Sequence, residues 1–159
     1  MSSISPIETF YNGINYRSRL EARWATFLTA LGIKFHYEYN AYKLPAGSYL
    51  PDFFIPTMRQ ERQPFVPTGV WLEIKPDKQL DPRVSALCSQ LAAATERLVW
   101  LLQGPVGTQR VRWFGKSGDE GSELLEYFAR TLCNEQRVEF DTLRFDHSIH
   151  LAKNNRFGT

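Results

Sequence analysis

The order of patterned segments predicts an α/β fold, with a mixed central sheet flanked by helices and a C-terminal appendix. Two patterns carry that expectation. A helix-period stretch near the start is followed by three short apolar runs of strand character, then by a second helix-period stretch and a very apolar run. Chains that alternate in this way bury their apolar sides by packing helices on a sheet. Size is the third observation: 159 residues, 43% of them hydrophobic, are enough for one domain with a core and short for two. The expected division is therefore one domain over residues 1–159, with a core at about 10–104 and an extension at about 105–159.

Each element has its own signal. Asn12-Gly13 lies between two aromatic runs, and both residues tolerate the positive φ of a two-residue hairpin turn. Arg17 to Leu31 reads as a helix, because Leu20, Trp24, Phe27, Leu28 and Leu31 share one face. Ser18 suits its cap and Gly32 its stop. Lys34 to Tyr39 reads as a strand, Ala46-Gly47 as a turn and Tyr49 to Ile55 as a second strand. Residues 57–69 are polar and aperiodic, hence a loop, and Val70 to Lys75 is apolar enough for a central strand. Asp81-Pro82 opens a second helix, with Val84, Leu87, Leu91 and Ala94 on its buried face. Leu98 to Leu102 is the fourth strand. Beyond it, Arg110 to Phe114 reads as a strand, Ser122 to Cys133 as a helix and Val138 to Phe145 as an alternating strand, with Asp146 capping a short terminal helix.

Bulk properties exclude several classes. The net charge of +2 neither demands nor excludes a nucleic-acid partner. Cys88 and Cys133 lie far apart with no CxxC spacing, which argues against a disulfide scaffold or a thiolate zinc site and for a reducing compartment. No basic start followed by an apolar stretch marks a signal peptide, and no run approaches the roughly 20 apolar residues of a membrane span. The expectation is a soluble cytoplasmic protein with no membrane partner.

Chemistry is signalled by where the acids fall. Asp52 lies inside Tyr49-Leu-Pro-Asp-Phe-Phe-Ile55, and Glu73 inside Val70-Trp-Leu-Glu-Ile-Lys75. Ionised carboxylates in apolar strands are costly, and two on adjacent strands repel. A hard divalent cation removes both problems, because it takes carboxylate oxygens as ligands. Asp52, Glu73 and the Ile74 carbonyl are the candidate metal ligands. Glu73 and Lys75, two residues apart, point to one face of a strand, so Lys75 brings an ammonium to the metal. Glu21 falls on the rim of the first helix's apolar stripe, roughly 20° from Leu28. That makes it a third acid, for a second metal or for water. Metal, ammonium and acids are the parts that phosphodiester hydrolysis requires.

Taken together, Glu21 on a first helix, Pro51-Asp52 on a strand and Glu73-Ile74-Lys75 on the next resemble the PD-(D/E)XK nuclease superfamily. The stretches Tyr16-Arg-Ser-Arg-Leu-Glu-Ala-Arg-Trp-Ala25 and Tyr49-Leu-Pro-Asp-Phe53 are most similar to small phage- and prophage-associated members. The resemblance runs from Phe10 to about Gly104, with a weaker echo at Arg156-Phe157. It implies a restriction-endonuclease-like core of helix, three strands, helix and strand. It also implies Mg²⁺-dependent DNA cleavage, with Mn²⁺ as substitute, and Asp52, Glu73 and Lys75 as the catalytic core, supported by Glu21. Two features depart from the pattern: Pro76, where phage-type members commonly carry glycine, and the length of the 57–69 loop. Neither removes a catalytic group.

The resulting expectation is a metal-dependent DNA endonuclease making site-specific duplex cuts, restriction- or homing-like, in the cytoplasm of a bacterial or phage-infected cell. Branched-junction resolution and phage DNA-end processing are alternatives within the class. A non-catalytic DNA-binding module on the same fold, or an interaction protein with structural ion pairs, are alternatives outside it. Candidate DNA contacts are Arg17, Arg19 and Arg23 at the first helix, Arg59 and Arg62 in the loop (with Gln60 or Gln63), and Lys78. One site per chain favours a homodimer or homotetramer for cutting two strands. Other notable residues have plainer readings. Trp24, Trp71 and Trp100 belong to the core, and His36 to packing. His147 and His150 are surface or cap histidines without a third ligand, and Gln90 is a helix glutamine.

Overall fold

Asn12 and Gly13 take φ values of 48° and 87° and join β1 (Thr9–Tyr11) to β2 (Ile14–Tyr16) in the expected two-residue turn. The computed structural model describes residues 6–57 and 68–157. The first helix, α1 (Arg19–Leu31), is capped by the Ser18 hydroxyl, which accepts from the Glu21 N–H. It ends at Gly32, whose φ of 90° is the left-handed value a helix stop requires. Trp24, Phe27, Leu28 and Leu31 on α1 are fully or almost fully buried, as their spacing predicts.

Next come β3 (His36–Tyr37), a hairpin of β4 (Tyr42–Leu44) and β5 (Gly47–Tyr49), β6 (Phe53–Pro56) and β7 (Gly69–Lys75). The second helix, α2 (Pro82–Thr95), leads to β8 (Val99–Gln103), β9 (Arg110–Phe114) and β10 (Glu120–Glu123). The chain finishes with α3 (Leu125–Gln136) and α4 (Thr142–Asn154). Six strands form one mixed sheet in the order β10-β9-β8-β7-β6-β3. The β7–β8 pair is parallel, with α2 as its crossover, and the other pairs are antiparallel.

Two cores lie on opposite faces of this sheet. The larger contains Leu72 and Ile74 of β7 with the apolar sides of α1, α3 and α4. The smaller contains Trp71 of β7 with Cys88, Leu91 and Ala92 of α2, and Tyr42, Leu44 and Tyr49 of the β4–β5 hairpin pack against it. Trp24, Trp71 and Trp100 are all core residues. Residues 105–157 supply β9 and β10 to the same sheet, and α4 lays Phe145 edge-on to Phe27 of α1 at 6.2 Å between ring centroids.

Several expectations are corrected. The strand expected over Tyr49–Ile55 is broken: Tyr49 closes the β4–β5 hairpin, and β6 begins only at Phe53. Pro51 has no N–H for a ladder, which favours the break. Ser122 belongs to β10, not to a helix; Gly121 beside it lies so close to Trp113 that any side chain would collide. The strand expected over Val138–Phe145 is also absent. Asp141, not Asp146, caps α4 by accepting from the Leu143 N–H, and Phe145, Ser148 and Ala152 recur at helical spacing against α1. The local alternation there was weaker than the three-to-four-residue period that continues past it. On α2, Ala94 is exposed and Cys88 takes the central buried place. A hydrogen bond from the Trp71 indole to the Thr95 hydroxyl, 3.0 Å, helps set that rotation of the helix. Among the described residues, no helix is long and apolar enough to cross a membrane.

Candidate active site

The register of β6 and β7 builds the centre of the site. Phe53 pairs with Leu72, so the ladder continued one residue outward sets Asp52 opposite Glu73. Within β7, Glu73 and Lys75 share the face that alternation assigns them. The Lys75 ammonium lies 3.4 Å from Glu73 Oε1. Glu21 approaches from the first turn of α1. All four residues line one open cleft of about 900 Å³ at the end of the sheet, together with Arg17, Arg19, Tyr49, Ile74 and Lys78. The candidate catalytic residues, separated by up to 54 positions in the chain, are thus gathered in one cleft.

These acids are held by neutral donors as much as by cations. Asp52 Oδ2 accepts from the Ile74 N–H at 2.7 Å. Glu73, only 3% exposed, accepts from the Tyr49 hydroxyl through Oε2. Glu21, 7% exposed, accepts from the Tyr37 hydroxyl at 2.7 Å through Oε1 and from the Ser18 hydroxyl at 2.9 Å through Oε2. The Ser18 hydroxyl therefore binds Glu21 twice, accepting from its N–H and donating to its carboxylate.

Electrostatics follow from this crowding. Burial and then the charge of Glu73 push the Asp52 carboxyl well above the usual carboxylate range, with a further push from Glu21. Burial likewise raises Glu21, against the two hydroxyls that favour its charged form. Burial alone would lower the Lys75 ammonium, but Glu73 and Asp52 outweigh it and raise its pKa. Burial also pushes the Cys88 thiol up to about 12, so this neighbour of Tyr49 and Glu73 is a neutral packing group and not a nucleophile.

The donor set suits a hard divalent cation: paired carboxylate oxygens, whose burial and mutual repulsion push the Asp52 carboxyl upward. Among the described residues, no three His, Cys, Asp and Glu side chains are gathered tightly enough to hold a metal ion. The acids converge as a pair, with Glu21 engaged instead by Tyr37 and Ser18. His147 and His150 are exposed on α4, and the Asn154 side chain sits beside the His150 ring.

The candidate DNA contacts are placed unequally. Arg19 is exposed at the cleft rim. Arg17 lines the cleft but is paired with Glu38 at 2.5 Å. Arg23 turns away and donates to the carbonyls of Ala152 and Lys153 at the end of α4, at 2.9 and 3.0 Å. Lys78 lines the cleft, and its carbonyl accepts from Gln103. Arg59 and Arg62, with Gln60 and Gln63, lie outside the described residues. Gln90 serves the fold: its side-chain oxygen accepts from the Ala46 N–H at 2.8 Å and ties the β4–β5 hairpin to α2. His36 is exposed yet stacked on Tyr39, 5.0 Å between centroids.

Tyr37 and Tyr49 are site residues that sequence patterns alone did not single out. A straight strand over Tyr49–Ile55 would set Tyr49 and Asp52, three positions apart, on opposite faces. The break at Leu50-Pro51 brings both to Glu73. A proline inside an otherwise regular strand pattern was the available signal. A scan against protein-family models finds no match to this chain, and a search of curated proteins finds none either.

Proposed function

We propose that the protein is a metal-dependent DNA endonuclease with a PD-(D/E)XK site on a restriction-endonuclease-like fold. One observation carries this reading: Asp52 and Glu73 face each other across neighbouring strands, with Lys75 beside Glu73, in an open cleft. The order α1, then β3, β6 and β7, then α2 and β8 supports the same fold reading. Asp52, Glu73 and the Ile74 carbonyl would hold Mg²⁺, or Mn²⁺ in its place. Bound there, the metal supplies a water of lowered pKa and Lewis-acid stabilisation of a phosphoryl oxygen.

The chain's own groups do the rest. The Lys75 ammonium stands where negative charge grows on an attacked phosphate. Glu21 would orient a water at the cleft's helix side, its carboxylate already positioned by Tyr37 and Ser18. The Tyr49 hydroxyl fixes the Glu73 carboxylate, as outer-shell donors do for ligating carboxylates. Site-specific duplex cutting by a homodimer or homotetramer is the favoured mode, since one chain carries one such site.

The test is cleavage of duplex, single-stranded and branched DNA by the purified protein. Cutting is expected with Mg²⁺ or Mn²⁺, none in chelator, and none by the Asp52→Asn variant. A wild-type protein that cuts no substrate with either metal would overturn the assignment. Sedimentation of the protein with and without DNA tests the oligomer; a monomer that makes double-strand breaks would remove that part alone.

A further inference from the structure

A second cleft, of about 310 Å³, opens beside the acidic one and is lined by Arg19, Arg23, Lys153, Asn154, Asn155 and Arg156. It contains four cationic side chains and no acid. Arg19 lines both clefts. Among the described residues, Arg19, Lys153 and Arg156 form no ion pair. Glu8, which lines a further cleft next to Arg19, does not pair with it. Burial, and then the charge of Arg19, lower the pKa of Arg23, as expected where cations crowd without a counter-charge.

The backbone that carries this cluster is anchored. Arg23 binds the last turn of α4 through the carbonyls of Ala152 and Lys153. The Asn155 side chain donates to the Thr26 hydroxyl of α1 and accepts from the Phe157 N–H at 3.1 Å. Phe157 takes a φ of 45°, stands edge-on to Tyr11 at 5.6 Å and lies under the Arg23 guanidinium at 5.4 Å. Arg156 is thus held between two residues fixed to the body of the protein while its own side chain stays exposed. A solvated lysine or arginine on a free tail needs no such framing.

Cations gathered without acids favour a polyanion, and a guanidinium pair with an ammonium suits phosphate oxygens. We infer that this cleft is a phosphate subsite, which seats a backbone phosphate of DNA on the strand that leaves the acidic cleft past Arg19. The inference rests on the DNA-cleaving reading for its ligand, but it is a statement about binding and can be tested without metal.

The experiment measures affinity for a short fluorescein-labelled DNA duplex by anisotropy, in chelator, across a salt series. The Lys153→Ala/Arg156→Ala variant should bind at least about tenfold more weakly, with a log K against log salt slope shallower by about 0.9 per lost phosphate contact. Arg19→Ala should move both quantities in the same direction. A control variant, Lys34→Ala/Lys116→Ala, loses equal charge at exposed positions lining neither cleft and should keep the wild-type slope. Circular dichroism checks folding, and cleavage with Mg²⁺ is measured alongside. Wild-type affinity and slope in the Lys153/Arg156 variant would overturn the subsite, whether or not DNA is cut. Equal losses in the control would do so too, by reducing the effect to net charge. A wild-type protein that binds DNA through these residues yet cuts nothing would leave the subsite standing and remove the nuclease assignment.

Discussion

The two clefts that share Arg19 are opposites in charge but alike in construction. In one, Asp52 and Glu73 face each other with Glu21 in the same cleft, and the three are held by Tyr37, Ser18, Tyr49 and the Ile74 N–H, with Lys75 as the ion-pair partner of Glu73. In the other, Arg19, Arg23, Lys153 and Arg156 are crowded together, and Arg23 is held by the carbonyls of Ala152 and Lys153. Each gathers like charges on a rigid frame and leaves them short of opposite ones. Internal ion pairs would relieve such crowding, and neither cleft supplies them in full. On the proposed reading, a divalent cation would occupy the first and a DNA phosphate the second.

Substitutions can separate the two halves of that comparison. The largest effect short of removing a metal ligand is expected from Lys75→Ala, which should lower the cleavage rate by about 10²-fold or more while changing metal affinity little. Single-turnover kinetics over a Mg²⁺ series measures both; near-normal turnover would reduce Lys75 to an ion-pair partner of Glu73. Tyr49→Phe should weaken Mg²⁺ binding by about tenfold, the scale of a lost outer-shell donor, with DNA affinity in chelator unchanged. Calorimetry reads the first and anisotropy the second, and unchanged metal affinity would detach Tyr49 from the site. Glu21→Gln should reduce cleavage by less than the strand acids do and leave DNA binding as it was, because its carboxylate is already engaged by two hydroxyls. Weakened DNA binding in that variant would mean that Glu21 orders the cleft rim instead of assisting the reaction.

The smallest expected effect is on stability. The folded-state pKa values of Asp52 and Glu21 are raised. Between the ordinary carboxylate pKa of about 4 and those raised values, the folded chain holds more protons than the unfolded one. Metal-free stability from these groups is therefore full below that window and declines as pH rises through it. Asp52→Asn should flatten the decline and leave the metal-free protein more stable than the wild type at pH 8. Urea unfolding in chelator at pH 5 and pH 8 measures the difference. An equal decline in the variant would place the crowding elsewhere.

Much of the acidic cleft was legible in the sequence, because its signal is local: a charge inside an apolar strand contradicts its surroundings wherever the strand ends up. Asp52, Glu73 and Lys75 could be grouped from that contradiction and from strand alternation. Likewise, α1 and its caps were readable because Ser18 and Gly32 act on their own backbone. The basic cleft was legible only in pieces. Arg19 and Arg23 could be named as candidate DNA contacts and Arg156 as a weak echo of the family pattern, but Lys153 had no signal, and the four form one group only when α4 is laid along α1, more than a hundred residues away in sequence. The alternation over Val138–Phe145 masks that packing, since a short alternating run and the first turn of an amphipathic helix can share the same residues. Tyr49 was hidden for a different reason, as its placement depends on a chain break at Leu50-Pro51 that turns it to the side of Asp52.

The packing of α4 on α1 has a consequence for the order in which the protein matures. On a ribosome, Arg23 emerges 129 residues before Ala152, whose carbonyl it will bind. At about 5–20 residues per second, that interval is on the order of ten seconds. During it, Phe27 lacks Phe145 and the basic cleft lacks Lys153 and Arg156, although Asp52, Glu73 and Lys75 have long been made. A nascent chain would thus carry the acids well before it carries the surface proposed to hold a strand against them. Grip on the substrate would be the last property acquired, and an incomplete product of interrupted synthesis would be a poor nuclease even with its acids intact.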